Sequence, residues 1–213
     1  MKKGADSAKG WWYARFRMRW LQDSEPSWHI DLLLAHRVIA PVVNRFSRDI
    51  SLWRFHRRAV RDAEGHQFSF IFYSSARTAR DIIDALKSDA LLQKLKHSDM
   101  IIQDLYQDTA RIYAPGIEDT SDGHWSPAIK KTWPFFIMGV CQMWLALIDE
   151  TAANIVDQTK TPSIPRMIKF YEKVNDAILL FWREQGSHAF FHHLNAIFGY
   201  EALLVREIHL KTF

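Results

Sequence analysis

Residues 52–73 read LWRFHRRAVRDAEGHQFSFIFY. The stretch alternates on both sides of a short polar turn, so it predicts a β-hairpin with strands near 52–61 and 66–73. Successive side chains of a strand point to opposite faces. Trp53, Phe55 and Ala59 therefore share one side with Phe68, Phe70 and Phe72. The other side carries Arg54, His56 and Arg58, with Gln67, Ser69 and Tyr73 from the second strand. A sheet face studded with guanidinium and imidazole groups must meet water or an anion, because burying it unpaired is costly.

Working upstream, Trp11 to Trp20 also alternates. Trp12, Ala14, Phe16, Met18 and Trp20 lie on one side, and Tyr13, Arg15, Arg17 and Arg19 on the other. That pattern predicts a half-exposed strand, preceded by a disordered lead over 1–10. Ser24 to Ser27 reads as a turn, with Ser27 as the N-cap of a helix in which Pro41 introduces a kink or interruption. Downstream, Thr78 to Leu95 carries an amphipathic stripe of Ala79, Ile82, Ile83, Leu86, Leu91, Leu92 and Leu95. Met100 to Tyr106 reads as a fourth strand. The order βαββαβ is the ferredoxin-like one, and the fold class expected is α+β, with 11–110 forming the sheet region.

Beyond it, 112–124 reads as a loop and 125–213 as a helical region packed on the sheet region as one domain. Ser126-Pro127 is an N-cap followed by a first-turn proline. A long apolar helix is expected from Pro134 to Val156. Thr161 to Pro165 breaks the chain before a helix reaching Glu184, Gly186-Ser187 restarts it, and Gly199 punctuates the last stretch.

Hydrophobic residues make up 48% of the 213, with nine Trp, which is enough for a core and excludes a chain disordered by composition. The net charge of +4 admits an anionic partner without demanding one. Cys141, the single cysteine, sits in an apolar run and reads as a small buried hydrophobe. The N-terminus has no apolar segment to form a signal peptide, and the apolar run 133–148 falls short of a membrane span. The expectation is a cytoplasmic protein with no membrane partner.

The basic sheet face is the leading candidate for chemistry. Arg15, Arg17, Arg54, His56, Arg58 and Tyr73 form the expected ligand-binding set, because clustered guanidinium groups grip phosphate or carboxylate in a bidentate fork. The competing reading has the C-terminal helices cover this face and pair its arginines with their own carboxylates. Nucleic acid is not the expected partner, since no RNP-type motif accompanies Tyr13 and Tyr73. His188 and His192 are spaced to share a metal, but a third ligand at motif spacing is missing and a structural role is favoured. The acidic loop Glu118 to Asp122 lacks the spacing of a calcium loop. No P-loop, GxGxxG, GxSxG or HExxH is present, and no cofactor is expected.

Trp12, Leu32-Leu33, Pro41, Trp53, Phe55, Arg57, Asp62 and His66 follow an aromatic strand, a helix with a leucine pair and proline, a Trp-Phe strand ending in Arg, and a His opening the next strand. In this order the first half of the chain resembles the C-terminal domain of lantibiotic dehydratases, also found as stand-alone thiopeptide-type biosynthesis proteins. The resemblance implies a role in modifying a ribosomal peptide, by elimination of glutamate from a glutamylated Ser or Thr or by a related cycloaddition. It nominates Arg57 and His66 as catalytic residues, binding a carboxylate and moving a proton with Arg15 and Arg54 nearby. Phe68 and Phe70 stand where the family carries arginines. The alternative is a non-catalytic binding or assembly protein, homo-oligomeric, that uses the aromatic helices or the basic face as its interface.

Overall fold

The computed structural model describes residues 8–155 and 163–201, and these belong to two compact units, Met1–Asn175 and Asp176–Phe213. The protein is α+β. In the first unit β1 (Lys9–Met18), β2 (Leu52–Ala59), β3 (His66–Ser75) and β4 (Ile101–Tyr106) form one antiparallel sheet in the order β2-β3-β1-β4. The first and third strands are central neighbours, with Trp12 opposite Phe72, Ala14 opposite Phe70 and Phe16 opposite Phe68. On β2 the register continues with Trp53 opposite Phe72 and Phe55 opposite Phe70.

These residues make one apolar face, and Trp12, Phe16, Phe68, Phe70 and Phe72 are wholly shielded from solvent. Each contributes roughly 2 kcal/mol through burial. The face is covered by α1 (Trp28–Leu33), α3 (Ala76–Lys87) and α4 (Ala90–His97), whose stripe of Ala79, Ile82, Ile83, Leu86, Leu92 and Leu95 is buried. The single helix expected over 78–95 is two, because Asp89 accepts a bond from the Leu92 amide and starts α4 afresh.

Other boundaries also shift. Lys9 and Gly10, expected in a disordered lead, pair with Ser75 and Ser74; residues 1–7 lie outside the described residues. Ser27 occupies the N-cap position of α1 but its side chain makes no capping bond. Pro41 does not kink a regular helix. It sits in the first turn of α2 (Ala40–Arg45), after a π-helical turn over Leu34–Ile39 whose wider winding absorbs the missing amide.

After β4 the chain crosses the opposite face of the sheet. The Trp11 indole donates to the carbonyls of Gly116 (3.0 Å) and Ile117 (3.0 Å), and the Tyr73 hydroxyl donates to Pro115 (2.6 Å). A short 3-10 turn, Ile117–Thr120, leads to α5 (Pro127–Asn154), capped by Ser126 as expected. The helix begins seven residues before Pro134 and runs through it. Pro134 cannot bond the Lys130 carbonyl, which instead accepts from the Ser121 hydroxyl at 2.8 Å. The apolar run expected to fall short of a span lies within this longer helix. The helix has 28 residues and a mean hydropathy of 1.3 over its most apolar stretch, sufficient by length and composition alone to cross a membrane.

One side of α5 lies against the edge strand β2. The Phe55 amide, free on that edge, donates to Cys141 Sγ at 3.2 Å, and Trp144 packs 5.6 Å from the Phe55 ring. An edge covered in this way cannot recruit another strand. The expected helix end at Val156 and the break at Thr161 and Pro162 lie outside the described residues. α6 (Ile164–Gly186) begins in the first unit and ends in the second, where it runs into a π-helical turn (Ser187–His192) and then α7 (His193–Ile197). Gly186 is no break point: it gives room to the Trp182 ring, which a Cβ there would approach to 3.0 Å.

Candidate functional site

The expected site residues do not form one site. Sheet register puts Arg15, Arg17, Arg54, His56, Arg58 and Tyr73 on the loop-covered face, and Arg57 and His66 on the helix-covered face. Arg15 and Arg54 are therefore not neighbours of Arg57 and His66. Alternation in the sequence of β2 already turns Arg57 to the side of Trp53 and Phe55, away from Arg54 and Arg58, and the register bears this out; the grouping of Arg57 and His66 with Arg15 and Arg54 does not hold.

On the loop-covered face, His56, Ser69 and Arg15 stand in one row across β2, β3 and β1. Arg54 is the next residue of that face along β2. A cavity of about 530 Å³ opens above this row, lined by Arg15, His56, Ser69, Tyr13, Tyr113 and Thr120 among others. Arg54 borders it, reaching the Thr120 carbonyl at 3.3 Å and lying over the Trp133 ring. The Nε atoms of Arg15 and Arg54 and the Thr120 hydroxyl are shielded from solvent yet lack a hydrogen-bond partner among the described residues. Neither arginine forms an ion pair among those residues. Among the described residues of the first unit, no carboxylate makes the pairing with Arg15 or Arg54 that the competing reading requires.

The charges act on one another. Partial desolvation, followed by the fields of Arg54, Arg15 and Arg58, holds His56 below the usual imidazole range, although the residue keeps a solvent-exposed surface. Burial pulls Arg54 down as well. The remaining members of the set lie outside the lining of this cavity. Arg58 is paired with Asp62, whose carboxylate also accepts from the turn amides of Glu64 and Gly65 at 3.0 Å. Arg17 lies over Gly65, and the Tyr73 hydroxyl is committed to the loop. The usable set is thus Arg15, Arg54, His56, Ser69 and Thr120.

On the helix-covered face, Arg57 and His66 meet through a residue the sequence reading passed over. Asp31, on α1, accepts from Arg57 Nε at 2.8 Å and lies 3.1 Å from His66 Nε2. Asp31 and His66 are fully buried, and Arg57 keeps 31% of its side chain exposed. The His66 contact is close enough for an ion pair but off the line of a hydrogen bond, so Asp31 Oδ1 and both ring nitrogens stay without one. Tryptophans enclose the group. Arg57 lies between Trp28 (4.8 Å) and Trp144 (5.0 Å), and His66 packs edge-on to Trp28 at 4.9 Å. A carboxylate inside the apolar run WHIDLLL was the available signal, since an acid on a buried stripe needs a buried partner.

Two further clusters complete the inventory. His36, in the π-helical turn, faces the Tyr171 hydroxyl at 2.7 Å and Asp149 at 3.2 Å, tying that turn to α5 and α6. Burial holds its imidazole below the usual range and pushes the Tyr171 phenol up. In the second unit the rings of His188, His192 and His193 lie 5.1–5.4 Å apart between centroids. Among the described residues no group of three or more His, Cys, Asp or Glu is arranged to hold a metal. Asp119 and Asp122 of the acidic loop cap the amides of Gly116 and His124.

Fold and site together define an α+β protein with a cation-lined cavity on one face of its sheet and a buried Arg–Asp–His group on the other. No family model, no curated protein and no solved structure matches the chain.

Proposed function

We propose that this chain is an anion-binding protein that holds a carboxylate or phosphate group in the cavity over β1–β3, and serves as an accessory or peptide-modifying protein in ribosomal-peptide biosynthesis. The observation that carries the anion reading is the pair of solvent-shielded, unpartnered guanidinium nitrogens of Arg15 and Arg54 beside a cavity of about 530 Å³. Unpaired buried donors are costly to keep, and a bound oxyanion repays that cost with charge-assisted bonds. The strand order β2-β3-β1-β4, with helices between β1 and β2 and between β3 and β4, supports the finer reading of the sheet as ferredoxin-like. The peptide part rests on the resemblance carried by Trp53, Phe55, Arg57 and His66. Their burial around Asp31 favours a positioning role for Arg57 and His66 over direct contact with substrate.

Titrating acetate and inorganic phosphate into the protein tests the anion reading. Saturable binding that disappears in Arg15→Met and Arg54→Met supports it, and no saturable binding of either anion contradicts it. For the peptide part, a precursor peptide encoded beside the chain should form a complex or change mass only with Arg15 and Arg54 intact.

A second reading, an assembly protein, is favoured by α5, on which Ile129, Phe135, Phe136 and Val140 are exposed. Light scattering that returns a monomer at all concentrations tells against it.

A further inference from the structure

The cavity holds more chemistry than a simple anion needs. We propose that its ligand is a phosphate monoester carried on an aromatic group, with Arg15 and Arg54 gripping the dianion and His56 taking up a proton as the ligand binds. This rests on the reading of the loop-covered face as an anion site and specifies which anion.

Charge balance points to a dianion. The groups acting on His56 are Arg54, Arg15 and Arg58, all from the sheet, and the one carboxylate lining the cavity is Asp108. Arg58 is neutralised by Asp62. Set against Asp108, Arg15 and Arg54 leave one positive charge while His56 is neutral and two once it takes up a proton. A carboxylate cancels one of them, whereas a phosphate monoester carries about −1.5 to −2 near pH 7. Its three terminal oxygens also match the donors available: the two free Nε–H groups, the imidazolium, and the Ser69 and Thr120 hydroxyls. His56 and Arg15 are two strands apart, roughly 10 Å at their Cα atoms, with Ser69 between them, so all three project from one face of the sheet into the same cavity.

The carrier follows from the walls. A phosphate fills a small part of about 530 Å³. Much of the rest is bounded by Trp11, Tyr13, Ile71 and Tyr113. Tyr13 already holds the Arg15 guanidinium 5.1 Å from its ring centroid, so an arene placed beside it extends an existing stack. The fixed apolar wall and the polar floor are the usual division of labour in a small-molecule site.

Proton uptake follows from the same arrangement. With the cavity unfilled, His56 sits among cations and is held neutral; a dianion between it and Arg15 reverses that field and favours the imidazolium. Near pH 7.5 binding therefore consumes a proton, and affinity falls as pH rises further.

Calorimetric titration with four probes, phenyl phosphate, benzoate, inorganic phosphate and acetate, separates head from tail. Phenyl phosphate is expected to bind about tenfold or more tighter than benzoate, and tighter than inorganic phosphate. Repeating the phenyl phosphate titration in two buffers of different ionisation heat should reveal proton uptake. His56→Gln removes that uptake while phosphate binding persists, and Tyr13→Ala erases the preference for the phenyl tail. Melting curves confirm that each variant is folded, and Arg54→Met serves in place of Arg15→Met should that variant fail to fold. Benzoate matching phenyl phosphate, or binding without proton uptake, overturns the inference while the anion reading stands. Failure of all four probes to bind overturns both.

Discussion

On the helix-covered face of the sheet, Arg57 and His66 share a buried carboxylate, Asp31; on the loop-covered face, Arg15, Arg54 and His56 share none. The residue types are the same, and β2 contributes to both groups. What differs is whether the fold itself supplies the countercharge. Where it does, tryptophans close over the group and the charges become part of the core. Where it does not, Arg15 and His56 line a cavity that Arg54 borders, the site of the anion proposed above. Charge type in a strand therefore says little about function until its partner is known.

The largest effect is expected at Asp31. Asp31→Ala leaves Arg57 and His66 packed among tryptophans with no countercharge, and should cost on the order of 3 kcal/mol in denaturant unfolding, the low end for breaking a buried pair because Arg57 is partly exposed. A change too small to resolve would mean that this face is no better paired than the other. On the loop-covered face the sign reverses: Arg15→Met and Arg54→Met should leave stability unchanged or raise it by up to about 1 kcal/mol, since each removes a guanidinium whose Nε is shielded and unpartnered and which has no countercharge. Clear destabilisation by both variants would erase the contrast.

A smaller effect concerns pH. His36 and His56 are both held below the usual imidazole range, so in the unfolded chain they take up protons near pH 6.5 while in the fold they do so only lower. The unfolded state binds more protons in that window, and stability falls as pH drops from about 6.5 towards the folded-state values. Denaturation midpoints at pH 7.5, 6.5 and 5.5 check the slope, and His56→Gln should reduce it. The smallest effect is at the exposed Arg58–Asp62 pair, where Arg58→Ala should leave the midpoint unchanged.

Much of the sheet was legible because period-two alternation is a local property. Trp12, Phe16, Phe55, Phe68 and Phe70 announced the core face, and the same count turned Arg57 away from Arg54 and Arg58. The pairing of β1 with β3 also followed from element order. What escaped was non-local. Asp31 meets Arg57 and His66 only after α1 packs on the sheet, and nothing in the spacing of 31, 57 and 66 announces it. Thr120 and Tyr113 belong to a segment without periodicity, so the cavity wall they form had no signature. Pro134 hides the true start of α5, because a proline ordinarily opens or breaks a helix, and the Ser121 hydroxyl that satisfies the Lys130 carbonyl in its place lies nine residues away on the connecting segment.

The central claim is that unpaired cations on one face bind an anion while paired ones on the other do not. Arginine Nε–H resonances followed by NMR during titration with phosphate test it at the atoms concerned. The Arg15 and Arg54 signals should shift together and saturate, while Arg57, held by Asp31 at 2.8 Å, stays in place. Equal, non-saturating shifts of all arginines, or a shift confined to Arg57, would contradict the account.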